Sequence, residues 1–107
     1  MITIKVKQTK QDCLIQLHGH ANYAPRGYDI VCSAISCLFE TLATSVDRMS
    51  DSLVRYDDID EDNKVLYIGD LDLASEYAIE FFRIGCKGVV DRMKQKGVFL
   101  ENVKKAI

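Results

Sequence analysis

The sequence predicts a small α/β fold. It is one sheet of about five mostly antiparallel strands with two helices, in the order β-β-α-β-β-α-β. Three observations carry this reading. The first two segments alternate apolar and polar residues, as half-buried strands do. Two later segments repeat apolar residues at helical spacing. Between the helical segments lies a pair of short strand-like runs around an acidic turn, the pattern of a hairpin.

The elements follow in order. In "MITIKVKQTK", Ile2, Ile4 and Val6 share one face and Thr3, Lys5 and Lys7 the other. "QTKQD" is a turn. "CLIQLHG" is the second strand, with Cys13, Ile15 and Leu17 on one face. Leu14, Gln16, His18 and His20 share its other face, whose mixed polarity implies partial exposure. Strands this close in sequence pair as a hairpin.

The connection "HANYAPRGY" comes next. Pro25 biases Ala24 towards extended backbone, and Gly27 offers conformational freedom. Asp29 has the chemistry of an N-cap. The first helix is then predicted from about Ile30 to Arg48, with Val31, Ile35, Leu38, Leu42, Val46 and Met49 on its apolar stripe. Ile30, Ala34 and Cys37 widen that stripe. "SLVRYDD" and "KVLYIGD" flank the turn "IDEDN". Asp72 is the expected cap of the second helix, with Ser75 or Glu76 near its first turn. Ala78, Phe81, Phe82, Gly85, Val89 and Met93 form the expected apolar face, and Gly97 follows the helix. Periodicity does not choose between strand and helix for "VFLENV".

A length of 107 residues with 48% apolar content and one proline predicts a single domain over residues 1–107, without linkers. A formal net charge of −2, with no basic stripe and no stacking series, argues against nucleic-acid binding. Charged residues interrupt every apolar run before membrane-spanning length, and the first ten residues lack a signal-peptide core. A cytoplasmic setting follows as the expectation, with the four cysteines as free thiols.

Chemistry concentrates in "HGHANYAPRGYDIVCSAIS", residues 18 to 36, which holds both histidines and Cys32. With Asp29 as the cap, Cys32 would stand at the third helical position, where the macrodipole favours a thiolate. An imidazole folded back from the preceding strand end would complete a nucleophile and general base. Residue chemistry alone does not choose between His18 and His20, and leaves core packing open for Cys32. Asp29 carries a conflict, since a capping carboxylate would occupy an N–H and oppose the thiolate. His18, His20 and Cys32 nominally offer three zinc ligands, but paired spacing and a fourth ligand are missing, so no metal is expected. Cys13, Cys37 and Cys86 read as structural.

The same stretch closely resembles the ribosomal-processing cysteine protease family. The resemblance lies in "GHA" at residues 19–21, followed after five residues by "GYDIVCSAIS" at residues 27–36. The family pattern is GHA, a five-residue gap, then G-x-D-I-V-C-A-A-V-S. Ser33 stands where the family has alanine and Ile35 where it has valine. The resemblance implies Cys32 as nucleophile and His20 as general base and acid, with Gly19, Gly27, Asp29 and Ser36 in support. It implies an endopeptidase that needs no cofactor. Its substrate would be the N-terminal extension of a bacterial large-subunit ribosomal protein, cut after an aromatic residue. It also implies a homodimer of α/β protomers. In "ANYAPRGY", Tyr23, Arg26 and Tyr28 are candidate peptide contacts or else solvated loop residues, with Gly27 a candidate hinge. A different class remains open: a non-enzymatic peptide-binding or ribosome-associated module with Cys32 merely packed. A thiol-redox enzyme is weaker, since no resolving cysteine stands near Cys32.

Overall fold

In the computed structural model the elements are β1 (Ile2–Gln8), β2 (Asp12–Gly19), α1 (Arg26–Met49), β3 (Leu53–Asp60), β4 (Asn63–Gly69), α2 (Leu73–Met93) and β5 (Val98–Lys104). The structure describes residues 2–19, 26–60, 63–93 and 98–104, with side chains for 3–19, 33–60 and 63–91. Gly97, expected to follow the second helix, lies outside them.

The sheet runs β3-β4-β2-β1-β5. Neighbours among β1 to β4 are antiparallel, and β5 pairs parallel with β1. The alternation of β1 is realised as read. Ile4 and Val6 are wholly buried while Lys7 is exposed. Across the register, Val6 faces Ile15 and Ile15 faces Leu66, so one sheet face is continuously apolar. Both helices cover that face. Ile35, Phe39, Leu42 and Val46 of α1 and Ile79, Phe82 and Cys86 of α2 close the core over Ile4, Val6, Cys13, Ile15, Leu66 and Ile68. Phe39 sits at the junction, edge-on to Tyr56 at 5.4 Å and to Phe82 at 6.4 Å. The helices approach closely at Gly85, where an added Cβ would stand 2.9 Å from a Leu38 methyl.

The start of α2 is capped as the sequence suggests. Asp72 accepts the Ser75 N–H at 2.8 Å, and Ser75 Oγ accepts the Asp72 N–H at 2.9 Å, a reciprocal box. The knot extends outward. Ser50 Oγ lies 2.8 Å from both Asp72 oxygens, the Asp51 N–H donates to the same carboxylate, and Ser52 Oγ meets Ser75 Oγ at 2.8 Å. These donors, the Ser75 and Ser50 bonds foremost, pull the Asp72 carboxyl from its ordinary 3.8 to about 2. A lowered folded-state value stabilises the fold above the unfolded value and ceases to do so as pH falls through the folded one. Wild type is therefore expected to lose stability between pH 3.8 and about 2. Asp72→Asn should be less stable at neutral pH and flatter across that window. Urea midpoints measured from pH 2 to 7 check this, and parallel curves for the two proteins would overturn it.

Several side chains depart from the sequence reading. Helix α1 begins at Arg26, four residues before the expected start. Met49 is exposed rather than on the buried stripe. Cys37 is exposed, not structural, while Cys13 and Cys86 are wholly buried as expected. Burial pushes both buried thiols from 9.0 to about 12. They remain protonated in the fold where the unfolded chain would ionise, so stability falls as pH rises from 9.0 towards 12. In α2 the core face is Ile79, Phe82 and Cys86, and Phe81, expected inside, is 69% exposed. The helix is apolar on two sides, and periodicity could not say which side meets the sheet.

Candidate active site

The two halves of the motif lie on either side of the connection between β2 and α1. Strand β2 delivers the chain to Gly19, opposite Ile2 of β1, and His20 follows directly. Six residues later α1 begins. Cys32 is the seventh residue of α1, about 9 Å along the axis from its start.

The helix start changes what these residues can do. Asp29 is the fourth helical residue, one turn too deep to be the N-cap, so the capping reading is corrected. Its competition for the Cys32 N–H disappears with it. In the α-helical pattern that N–H pairs with the carbonyl of Tyr28, and the open donors are those of the first turn at Arg26, Gly27 and Tyr28. Cys32 lies in the second turn, beyond the strongest part of the macrodipole, so the dipole contributes less to a thiolate than the third position would have. Arg26, Gly27 and Tyr28 are helical rather than part of the connecting loop. The hinge reading for Gly27 is corrected accordingly.

Backbone positions 29, 32 and 36 fall on one flank of α1, spaced by three and four residues. That flank borders the stripe of Ile35 and Phe39, which are buried, while Ser33 is exposed and Ser36 half-buried. The position of Cys32 therefore lies at the edge of the core stripe, not at its centre. His20 and Tyr23 lie outside the described residues, as do the side chains of Arg26, Tyr28, Asp29 and Cys32.

His18 is accounted for differently. It pairs with Thr3 and Asn63 across the register and stands on the sheet face that the helices leave open. Its Nδ1 contacts Asn63 Oδ1, and Asn63 Nδ2 donates to both Asp60 oxygens at 2.9 and 3.0 Å. The imidazole is thus tied to the β3–β4 hairpin, on the far side of the sheet from α1. Nothing in the sequence marked Asn63 or Asp60 as its partners except their place beside the acidic turn. Among the described residues no three His, Cys, Asp or Glu side chains converge as metal ligands would.

The thiols can be told apart chemically. Native protein treated with iodoacetamide near pH 8 is expected to label at Cys37, which is exposed, and not at buried Cys13 or Cys86 until unfolding. Peptide mapping reads this out. Labelling of Cys13 or Cys86 at the rate of Cys37 would contradict the packing.

The fold defines a small α/β domain whose first helix carries a cysteine position in its second turn. The family model described as the cysteine protease Prp matches residues 1–103. The chain belongs to this family and is a cysteine protease. Solved structures agree in fold. The ribosomal processing protease Prp from S. aureus in complex with a substrate peptide has a TM-score of 0.77 at 15% identity, covering 95% of this chain and 99% of that one. The same protease with a covalently linked product peptide gives 0.72 at 16% identity, with the same coverage. SMU.848 from Streptococcus mutans gives 0.75 at 22% identity, covering 100% of this chain and 96% of that one. No curated protein matches this chain by sequence.

Proposed function

We propose that this chain is an endopeptidase that removes the N-terminal extension of a bacterial large-subunit ribosomal protein, using Cys32 and His20 as a catalytic dyad. The observation that carries the reading is the family match over residues 1–103, which spans both halves of the spaced motif. Cys32 lies in the second turn of α1, and His20 directly follows β2 in the sequence. The likeness to a ribosomal processing protease holding a substrate peptide supports the substrate class.

The chemistry follows from these groups. His20 takes the proton of the Cys32 thiol, and the sulfur attacks the scissile carbonyl. The first-turn N–H groups of Gly27 and its neighbours are the donors available for the oxyanion, and the missing side chain at Gly27 favours close approach. His20 returns the proton to the leaving amine. Water then attacks the thioester, releasing the acid and restoring the thiol. Ser36 and Asp29 flank the nucleophile as positioning residues, while Gly19 lets the chain turn out of β2 towards His20. Tyr23, Arg26 and Tyr28 contact the extension as it enters. No cofactor takes part. The protease acts in the cytoplasm as a homodimer and as one catalytic domain.

The test is a mass-resolved digest of a peptide spanning the precursor junction. A single cut after an aromatic residue, blocked by alkylation of Cys32, is the expected result. Stable binding with the peptide left intact after prolonged incubation would instead indicate a non-enzymatic peptide-binding module.

A further inference from the structure

The sheet face that the helices leave open holds a cavity of about 370 Å³, within the ~300–1,000 Å³ of small-ligand sites. Thr3, Lys5, Gln16, His18, Ile59 and Val65 are among its lining. Register sets most of them in two rows. Lys5 of β1, Gln16 of β2 and Val65 of β4 form one, and Asp57 of β3 continues it. That row crosses four adjacent strands, about 14 Å at ~4.8 Å per strand. Thr3, His18 and Asn63 form the next row.

The polar groups of the first two strands are uncommitted. Lys5 is half-buried, yet its ammonium has no ion-pair partner among the described residues, and the Thr3 hydroxyl and Gln16 amide have no hydrogen-bond partner there. His18 is fixed instead. Asn63 Nδ2 donates to Asp60, so Asn63 Oδ1 accepts from the imidazole, whose proton sits on Nδ1 and whose Nε2 is left as an acceptor. Ile59 is 65% exposed and falls at the register slip between Asp58 and Asp60, a bulge that leaves it outside the ladder. It lines the cavity together with Val65.

We propose that this cavity binds the free C-terminal end of a peptide whose last residue is aromatic. It is a second peptide site, on the sheet face away from α1. It rests on the function proposed above, since cutting after an aromatic residue releases such an end. Lys5 meets the carboxylate, with the Thr3 hydroxyl and the Gln16 amide as further donors. Val65 and Ile59 meet the terminal ring. Lys5 and His18 are diagonal neighbours across β1 and β2, about 7–8 Å apart. One terminal residue held between them offers its carboxylate to Lys5 and its N–H to His18 Nε2. Charge sets the direction. Asp57 and Asp60 repel a carboxylate at the β3 end, so the acid end lies on β1. The preceding residues run towards β3, where basic side chains fit and acidic ones do not.

The test is titration of the isotope-labelled full chain with the peptide KKAAAF, read by backbone amide shifts. The free acid is expected to bind with shifts at Thr3, Lys5, Gln16 and Val65. Its C-terminal amide should bind roughly tenfold more weakly, and so should EEAAAF as the free acid. Lys5→Gln should lose about the same factor, while Lys5→Arg should retain most of the affinity. Val65→Asp is a second variant in case the first fails to fold, and far-UV circular dichroism checks all three. Shifts confined to α1 would place the peptide end at the dyad and overturn the second site, leaving the proposed function standing. Equal binding of acid and amide, or of the Lys5→Gln variant and wild type, overturns the carboxylate role. Inorganic phosphate that displaces the peptide at equal concentration overturns the peptide-end reading in favour of a plain anion site. Acid-selective binding by a chain that leaves the precursor junction intact would keep this site and remove the proposed function.

Discussion

Replacing Cys32 by alanine is expected to abolish cleavage of the junction peptide, a loss of roughly 10⁴-fold or more in kcat. His20→Ala should cost a comparable factor. The two groups act as one unit, so the double variant should be hardly worse than either single one. His18→Ala is the informative control. It removes an imidazole two residues away, but one engaged with Asn63 on the open face of the sheet. Most activity should survive. Cys32→Ser is a poorer probe, because a hydroxyl keeps weak nucleophilicity. Initial rates by mass spectrometry, with circular dichroism to confirm folding, decide the matter. A His18→Ala loss matching that of His20→Ala would reassign the base.

Phe39→Ala is expected to be the most damaging single change to the fold. The ring is wholly buried, packs edge-on against Tyr56 and Phe82, and bridges both helices to the sheet. Deleting such a ring costs about 3–5 kcal/mol through lost transfer energy and the cavity left behind. A domain of this size has ~5–15 kcal/mol in total, so the variant would be marginal. The urea midpoint should fall steeply with little change in slope. Phe39→Leu, which refills part of the space, should fall less. Phe39 is seven residues beyond Cys32 on the same helix, so warming the alanine variant should cost activity before bulk unfolding is complete.

Much of this fold is legible in the sequence because alternation has a period of two and leaves little choice. Ile4, Val6, Cys13 and Ile15 face inward as their spacing demands. The capping of α2 was readable because Asp72 and Ser75 stand at box spacing ahead of an apolar run. The first helix start was not. Asp29 has the chemistry of a cap, and Pro25 and Gly27 read as loop residues. Yet a proline directly ahead of a helix is also a start signal, and four more residues extend the helix at little cost. The orientation of α2 was hidden for a different reason: with apolar residues on two sides, the spacing does not say which side meets the sheet. The proposed dyad lies between these cases. Position suggested a reactive cysteine, while the choice of His20 over His18 needed the spaced motif. Register adds a physical reason against His18, which belongs to the face away from α1.

The strand order also dictates when the fold closes. Residues up to Met49 make one hairpin and one helix, and residues from Leu53 to Met93 make another such pair. Within the sheet these halves meet along a single seam, the seven-residue β2–β4 ladder. Strand β3 reaches β2 only through β4, so the second hairpin must dock as a unit after α1 has crossed over. This seam joins residues 45 to 57 apart in the chain and the β1–β5 ladder joins residues 96 apart, so both lose loop entropy before their contacts form. The seam's amides should be among the last to exchange with solvent. Because β2 leads directly into His20 in the sequence, the strand that precedes the proposed base is also the strand on which the two halves of the sheet meet.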